Sequence, residues 1–321
     1  MKNLEVEFLK AKNLLSDARK IVIISHRGPD GDAVGSNLAL RLALKYQWNK
    51  NVVSACVDPA PGYCDFLPEV NEFKTDFDRD DADALVFVDC GASYMSKFHE
   101  KKSNLFSGTP PVINIDHHAS NDNFGQINIV NSEAASATQI LYGFLKFCGF
   151  KITREIATCL LNGLYFDTGS FMHSNTTSEV LNIAGELLWH GADYKTIARR
   201  QFHSTNISQL KLYGRIFEKI KVNDKQVVAS AVSEKDFEET GAKLEDTTGA
   251  IDYLNSVPDG KMCCLLYEDR KGTIKGSFRT RDEIDLAALA SQFGGGGHKK
   301  AAGFSLPGHL IETDPRVRIG L

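Results

Sequence analysis

The stretch Ile21–Leu44, IVIISHRGPDGDAVGSNLALRLAL, constrains the fold more than any other part of the chain. It opens on Ile21–Ile24, a run of β-branched residues that reads as a buried strand. From Ala33 to Leu44 apolar residues recur at helical spacing, which reads as a helix. Between them lie Ser25, His26, Arg27, Gly28, Pro29, Asp30, Gly31 and Asp32. One imidazole and two carboxylates are thus crowded into a loop at the carboxyl end of a strand, where open α/β sheets place their ligands. Gly28, Pro29 and Gly31 allow the tight turns of such a fold-back. Asp32 reads equally well as the helix N-cap, and Asp30 as a turn residue. With His26 four residues ahead of Asp30, the loop reads as a divalent-metal site.

Other strands end the same way. Asn51–Val57 reads as a strand, followed by a turn-rich loop from Pro59 to Pro68. Ala84–Asp89, ALVFVD, ends on a carboxylate, and Pro111–Ile115 runs into Asp116, His117 and His118. A buried strand ending in a polar residue is unremarkable once; three such endings carrying Asp or His point to a common site. Ser136–Phe147 and Glu155–Leu164 read as helices, the second running into Tyr165, Phe166, Asp167, Thr168 and Gly169. Taken alone, Asp167 reads as a C-terminal turn residue. Thr176–Glu179 reads as a capping box ahead of a helix Val180–His190, with His190 complementing the helix dipole. Strands alternating with helices predict an α/β fold whose N-terminal part is a doubly wound, mainly parallel sheet.

The chain of 321 residues is long enough for two domains. Ala192 to about Ile220 is polar and helical and reads as a connector, giving boundaries at 1–191, 192–220 and 221–321. Beyond it Gln226–Val232, Lys261–Tyr267 and Thr273–Phe278 read as strands, the last two joined by a hairpin at Glu268–Gly272. Asp285–Phe293 reads as a short helix with Asp285 as N-cap, and Gly294–Gly303 reads GGGGHKKAAG. This second domain is expected to be a smaller α/β unit across a cleft from the first.

A formal net charge of −4 argues against a protein that coats long duplex DNA, and leaves room for a small anion held by a local basic pocket. The seven cysteines include no CxxC pair and several sit in apolar runs, which reads as buried free thiols in a reducing, cytoplasmic setting. The N-terminal MKNLEVEFLKAKNLL is an amphipathic charged helix rather than a signal peptide, and no apolar run approaches the ~20 residues of a membrane span.

The candidate ligands are His26, Asp30, Asp32, Asp89, Asp116, His117, His118 and Asp167. Six such groups suffice for two divalent ions when one carboxylate bridges them, and paired ions polarise a phosphoryl oxygen and activate water. Mixed carboxylate and imidazole donors suit manganese better than magnesium. No cysteine falls at a ligand position, which argues against structural zinc. Four consecutive glycines can converge backbone N–H groups on an anion, though they read equally as a flexible loop. Arg279, in SFRT at a strand end, supplies a phosphate fork.

The order HRGPDGD, VDC, DHH and YFDTG resembles the DHH phosphoesterase superfamily, and SFRT followed by GGGGHKKAAG resembles its DHH-associated C-terminal domain. Within it the chain is most similar to the bacterial nanoRNase and pAp-phosphatase group, over almost its whole length. The resemblance implies two manganese ions: His26, Asp30 and Asp89 on one, Asp32, His117, Asp167 and again Asp89 on the other. It implies that His118 faces the scissile phosphate and that Asp116 orients the histidine pair. It assigns Ser277, Arg279, Gly295, Gly296, Gly297 and His298 to a terminal phosphate or nucleotide. The implied activity is hydrolysis of very short oligonucleotides to mononucleotides, with 3′-phosphatase action on pAp; a homodimer is compatible with it. The alternatives are a cyclic-dinucleotide phosphodiesterase, a pyrophosphatase-like hydrolase and a non-catalytic nucleotide sensor. One departure stands at the end, where the family's usual final helix is replaced by FSLPGHLIETDPRVRIGL, with two prolines and no helical stripe.

Overall fold

The computed structural model describes residues 4–202, 206–269, 272–313 and 316–320, and divides the chain into two compact units, Met1–Ser204 and Thr205–Leu321. The first unit runs α1 (Glu5–Asp17), β1 (Lys20–Ile24), α2 (Gly31–Gln47), β2 (Asn51–Ala55), β3 (Ala84–Val88), β4 (Val112–Asp116) and β5 (Ile127–Val130). It continues with α3 (Ala137–Cys148), α4 (Arg154–Asp167), α5 (Ser178–Trp189) and α6 (Tyr194–Phe202). The five strands pair in the order β2-β1-β3-β4-β5, and every pairing is parallel. β1 therefore has its successor on one side and β3 on the other, which makes the β1/β3 crevice a topological switch point.

The strands are buried on both faces, as an all-parallel sheet requires. On one face Leu15, Ile23, Leu38, Val86, Ile115, Ile140 and Leu160 join in a core shared by α1 to α4. On the other, Val22, Ile24, Leu85 and Phe87 pack against Phe77, Phe98 and Leu105 from irregular segments. Helix α2 is buried all round from Gly31 to Leu44, the pattern of a helix enclosed by its neighbours rather than lying on a surface. Two glycines permit this. A Cβ on Gly35 would stand 2.5 Å from the Cys159 carbonyl oxygen, and one on Gly163 would stand 2.5 Å from the Thr138 side chain.

Two local readings change. Asp30, not Asp32, caps α2, accepting the N–H groups of Asp32 and Ala33 at 2.9 and 3.1 Å. Thr177 caps α5 by accepting from Val180, and because the third helical position is then Val180 there is no acid to complete a capping box.

The second unit runs α7 (Ile207–Glu218), β6 (Lys221–Val222), β7 (Val227–Val232), α8 (Glu234–Thr240), α9 (Ala250–Asn255), β8 (Met262–Asp269) and β9 (Thr273–Thr280). Then come α10 (Leu286–Ser291), β10 (Gly296–His298), β11 (Ala301–Pro307), β12 (His309–Thr313) and β13 (Arg316–Gly320). Six strands form a mixed sheet in the order β10-β11-β9-β8-β7-β6, parallel only between β7 and β8. α7 and α9 close one side through Leu212, Ile216, Ile251 and Leu254, while α10 closes the other through Leu286 and Ala290. The stretch expected to be a connector is thus divided: Ile197 of α6 belongs to the first core and Leu212 of α7 to the second. The tail without a helical stripe is extended, its residues forming β11 and the β12–β13 pair. The centre of the expected hairpin, residues 270–271, lies outside the described residues.

Candidate metal centre

Each donor sits where a sheet strand or a helix ends. β1 delivers His26, whose Nδ1 lies 2.9 Å from the Arg27 carbonyl oxygen. A carbonyl only accepts, so Nδ1 donates, and Nε2 is the nitrogen that faces the site, 3.5 Å from Asp89 Oδ2. β3 delivers Asp89, held at φ 55°, a left-handed conformation that costs a non-glycine residue free energy. Its carboxylate spans the site: Oδ2 is 3.5 Å from His26 Nε2 and Oδ1 is 3.5 Å from His117 Nε2. β4 delivers the histidine pair, and His117 Nε2 is also 3.2 Å from Asp167 Oδ2.

α4 continues three residues past its expected end, so Asp167 is the last helical residue rather than part of a free turn. Behind it Gly169, Ser170 and Phe171 all have positive φ, 53, 62 and 64°, so the backbone after Asp167 turns sharply in the left-handed region. Asp32 reaches α3, where Oδ2 accepts the Ala137 N–H at 2.6 Å and Oδ1 accepts the Thr138 N–H at 3.0 Å and hydroxyl at 2.6 Å. A carboxylate at a helix N-terminus is favoured by the orphan N–H groups there.

Three clusters result in this unit, each with ligand atoms within 4.8 Å of one another: the donor sets His26–Asp30–Asp89 and Asp32–His117–Asp167, and beside them Asp89–Asp116–His118. Asp89 touches both donor sets. Asp116 Oδ1 holds His118 Nδ1 at 2.8 Å, while its Oδ2 accepts from the His118 N–H at 3.2 Å and from Asn121 Nδ2 at 2.6 Å. Asp116 therefore orients His118 in particular, where the sequence had suggested the pair.

The electrostatics are those of a site built for cations. Burial raises the carboxyls of Asp30, Asp32 and Asp167, and neighbouring carboxylates raise them further, Asp32 to about 7. Burial also works against charge on Asp89, but the facing imidazoles of His117 and His26 overcome it and hold this carboxyl well below the usual range. Burial likewise opposes charge on His26, and Asp89 and Asp30 outweigh it, raising the imidazole to about 9. The crowded carboxylates thus draw protons onto the histidines where a divalent cation would neutralise them directly. Asp89 Oδ1 is buried with no hydrogen-bond partner, a costly state that a ligated cation relieves. Carboxylate and imidazole at these separations fit divalent metal ions.

Sequence reasoning passed over the residues that hold these donors. Asp58, beyond β2, accepts from the Gly28 N–H at 3.0 Å and fixes the loop after β1. Thr138 and Asn121 hold Asp32 and Asp116. Asp58 stands at a strand's carboxyl end, between the expected strand Asn51–Val57 and the turn-rich loop that begins at Pro59; the other two carried no local signal.

In the second unit, Ser277 and Arg279 lie on the partly exposed face of β9. Register sets Arg279 opposite Ala301, and Ala301 opposite His298. One row along, Ser277 faces Gly303, which faces Gly296. The glycine run is neither a free loop nor four converging amides: Gly296 and Gly297 are strand residues, and a Cβ on Gly295 would stand 2.1 Å from the Gly303 carbonyl oxygen. The glycines let β10 lie close on β11 and leave bare backbone beside Ser277, with nothing within 4 Å of where a Gly296 Cβ would stand. The Arg279 guanidinium is part-exposed, with Nε 3.9 Å from Asp252.

A parallel sheet carrying clustered carboxylates and imidazoles at its switch point defines a metal-dependent hydrolase. Residues 20–164 match the DHH family N-terminal domain and residues 224–314 the DHHA1 domain. The chain belongs to the DHH family. It is 33% identical over 294 residues, 90% of this chain and 84% of the other, to the bifunctional oligoribonuclease and PAP phosphatase NrnA of Thermus thermophilus. It is 24% identical to the protein of that name from Bacillus subtilis, over 89% of each chain. A solved structure of an exopolyphosphatase-related protein from Bacteroides fragilis is similar at TM-score 0.85 and 27% identity, covering 93% of this chain and 90% of that one.

Proposed function

We propose that this chain is a manganese-dependent phosphodiesterase that degrades very short oligonucleotides to mononucleotides and removes the 3′-phosphate of pAp. The observation that carries the reading is Asp89, whose two carboxylate oxygens each lie 3.5 Å from the imidazole of a different donor set. That is the arrangement of a bridging ligand. His26 and Asp30 with Asp89 would hold one ion, and Asp32, His117 and Asp167 with Asp89 the other. Two such ions, when bound, polarise a phosphoryl oxygen, activate water and offset the charge that builds on phosphorus. Two imidazoles among the ligands favour manganese over magnesium.

The protein supplies the remaining steps. Asp116 holds His118 through Nδ1 at 2.8 Å, which leaves Nε2 as the nitrogen that would give a proton to the leaving oxygen. Asp116 and Asn121 fix its angle. Ser277, Arg279, the backbone at Gly295–Gly297 and His298 would grip the substrate's far phosphate. Relatives named as oligoribonuclease and PAP phosphatase support this substrate class. A cytoplasmic setting fits seven free cysteines. No helix among the described residues is long and apolar enough to cross a membrane.

The test is turnover with manganese of pAp, dinucleotides, five-mers, long RNA and pyrophosphate, by wild type and Asp89→Ala. Dinucleotides and pAp should be preferred, and the variant should be inactive with reduced metal stoichiometry. A preference for pyrophosphate or long RNA, or near-normal turnover by Asp89→Ala, overturns the proposal.

A further inference from the structure

Three of the six donors share one mechanical support outside the donor set. Gly31 stands between Asp30 and Asp32, one carboxylate from each donor set. From α4, Asn162 donates to the Gly31 carbonyl at 2.9 Å. One turn further on, Phe166 lies so close that a Cβ on Gly31 would be 2.8 Å from its ring. The next residue is Asp167. The loop after β2 then brings Tyr63, carried by a short 3-10 turn at Gly62–Cys64, onto this assembly. Its ring lies parallel to that of Phe166, with centroids 5.7 Å apart and planes 9° apart. Burial pushes the Tyr63 phenol up, as do neighbouring charges that include Asp30 and Asp167, so it stays neutral beside the carboxylates.

We propose that Tyr63 is a positioning residue for the metal centre, its ring clamping Phe166 so that Asp30, Asp32 and Asp167 are held at the separation that two bound cations need. This rests on the two-metal reading above. The physical argument is rigidity. Four crowded carboxylates repel one another before cations arrive, and the backbone around Gly31 has no side chain of its own to resist the spreading. A flat aromatic pair resists it by dispersion between the two ring faces. A tyrosine in a surface loop that only filled the core would have no connection to ligand spacing. This one meets the helix residue that both precedes one ligand and presses on the peptide between two others.

The experiment compares wild type, Tyr63→Phe, Tyr63→Leu and Tyr63→Met. Manganese is titrated calorimetrically into each metal-free protein, the fold is followed by circular dichroism, and the coupling between bound ions is read by electron paramagnetic resonance. Tyr63→Phe keeps the stacked ring and should match wild type within about twofold. Tyr63→Leu and Tyr63→Met fill the space without a stacking face and should weaken manganese binding roughly ten- to hundredfold, the scale for groups that support metal ligands. The coupled spectrum should change while both variants remain folded. Wild-type affinity and coupling in both aliphatic variants overturns the brace. So does a loss in Tyr63→Phe equal to that in Tyr63→Leu, because the hydroxyl rather than the ring would then carry the effect. Failure of wild type itself to bind two ions would sink the two-metal reading instead.

Discussion

Gly163 and the Asp32 carboxylate lie so close that a Cβ on the glycine would stand 2.4 Å from Oδ1. Asp32 is buried, and its oxygens already accept from Ala137 and Thr138. No slack remains to absorb a methyl group. Gly163→Ala should therefore cost about 1–3 kcal/mol by overpacking, despite alanine's better helix propensity. It should also weaken manganese binding, because the side chain that must yield is a proposed ligand. Thermal melting of the metal-free protein and a metal titration check the two halves separately. A variant more stable than wild type would show that helix propensity outweighs the contact.

His117 and His118 are neighbours with separate partners, which predicts separable losses. His117 Nε2 faces Asp89 and Asp167 at 3.5 and 3.2 Å, so His117→Ala should lose metal stoichiometry. His118 is held through Nδ1 by Asp116, so His118→Ala should bind metal and lose about 10²- to 10⁴-fold in kcat, the range for a general acid. Metal content by elemental analysis, beside kcat, checks this. Full metal in both variants would mean that the two roles are misassigned.

Much of this site was readable before the fold was known, for a geometric reason. Strand ends converge at one edge of a parallel sheet, so His26, Asp89 and His117 could be grouped once their strands were recognised. Asp167 was harder, because an acid at the end of an apolar helix looks the same whether it is a ligand or a turn residue. The supports were illegible: Asp32 bonds residues 105 and 106 positions away, and nothing local marks Thr138. The glycine run misled because glycine has poor strand propensity, and only its pairing with β11 makes β10 a strand. The tail reads as irregular for a similar reason, since its prolines break any helical pattern without revealing strands.

Glu69 supplies a pH test remote from the proposed ligands. It accepts from Arg41 Nε at 2.5 Å, from Lys45 Nζ at 2.7 Å and from the Tyr46 hydroxyl, tying the loop beyond β2 to α2. Burial works against its charge, but the bonds from Lys45, Tyr46 and Arg41 hold its carboxyl at about 2. The folded value is depressed, so the stabilisation is complete above the unfolded value of about 4.3 and is lost as pH falls from there through about 2. Glu69→Ala leaves the buried Arg41 with its bond to the Val52 carbonyl but no carboxylate to balance its charge, and at neutral pH should cost on the order of 3 kcal/mol. The gap between variant and wild type should narrow between pH 4.5 and 2. Urea unfolding across that range measures it, and a gap independent of pH would remove the carboxylate from the explanation.

Arg279 separates substrate binding from chemistry. It shares a row of the second sheet with Ala301 and His298, in a unit that contributes none of the six proposed metal ligands. If it grips a phosphate remote from the reacting one, its loss removes binding made at a distance. Charge-assisted hydrogen bonds contribute roughly 1.5–3 kcal/mol, so Arg279→Ala should lower kcat/KM on dinucleotides and pAp by about ten- to hundredfold. A small activated phosphodiester with no second phosphate has nothing for Arg279 to hold, and should be hydrolysed as before. Manganese affinity should be unchanged. The guanidinium is part-exposed and its nearest carboxylate, Asp252, is 3.9 Å away, so its removal should disturb the fold little. Equal loss on both kinds of substrate would instead assign Arg279 to the chemistry or to the stability of the fold.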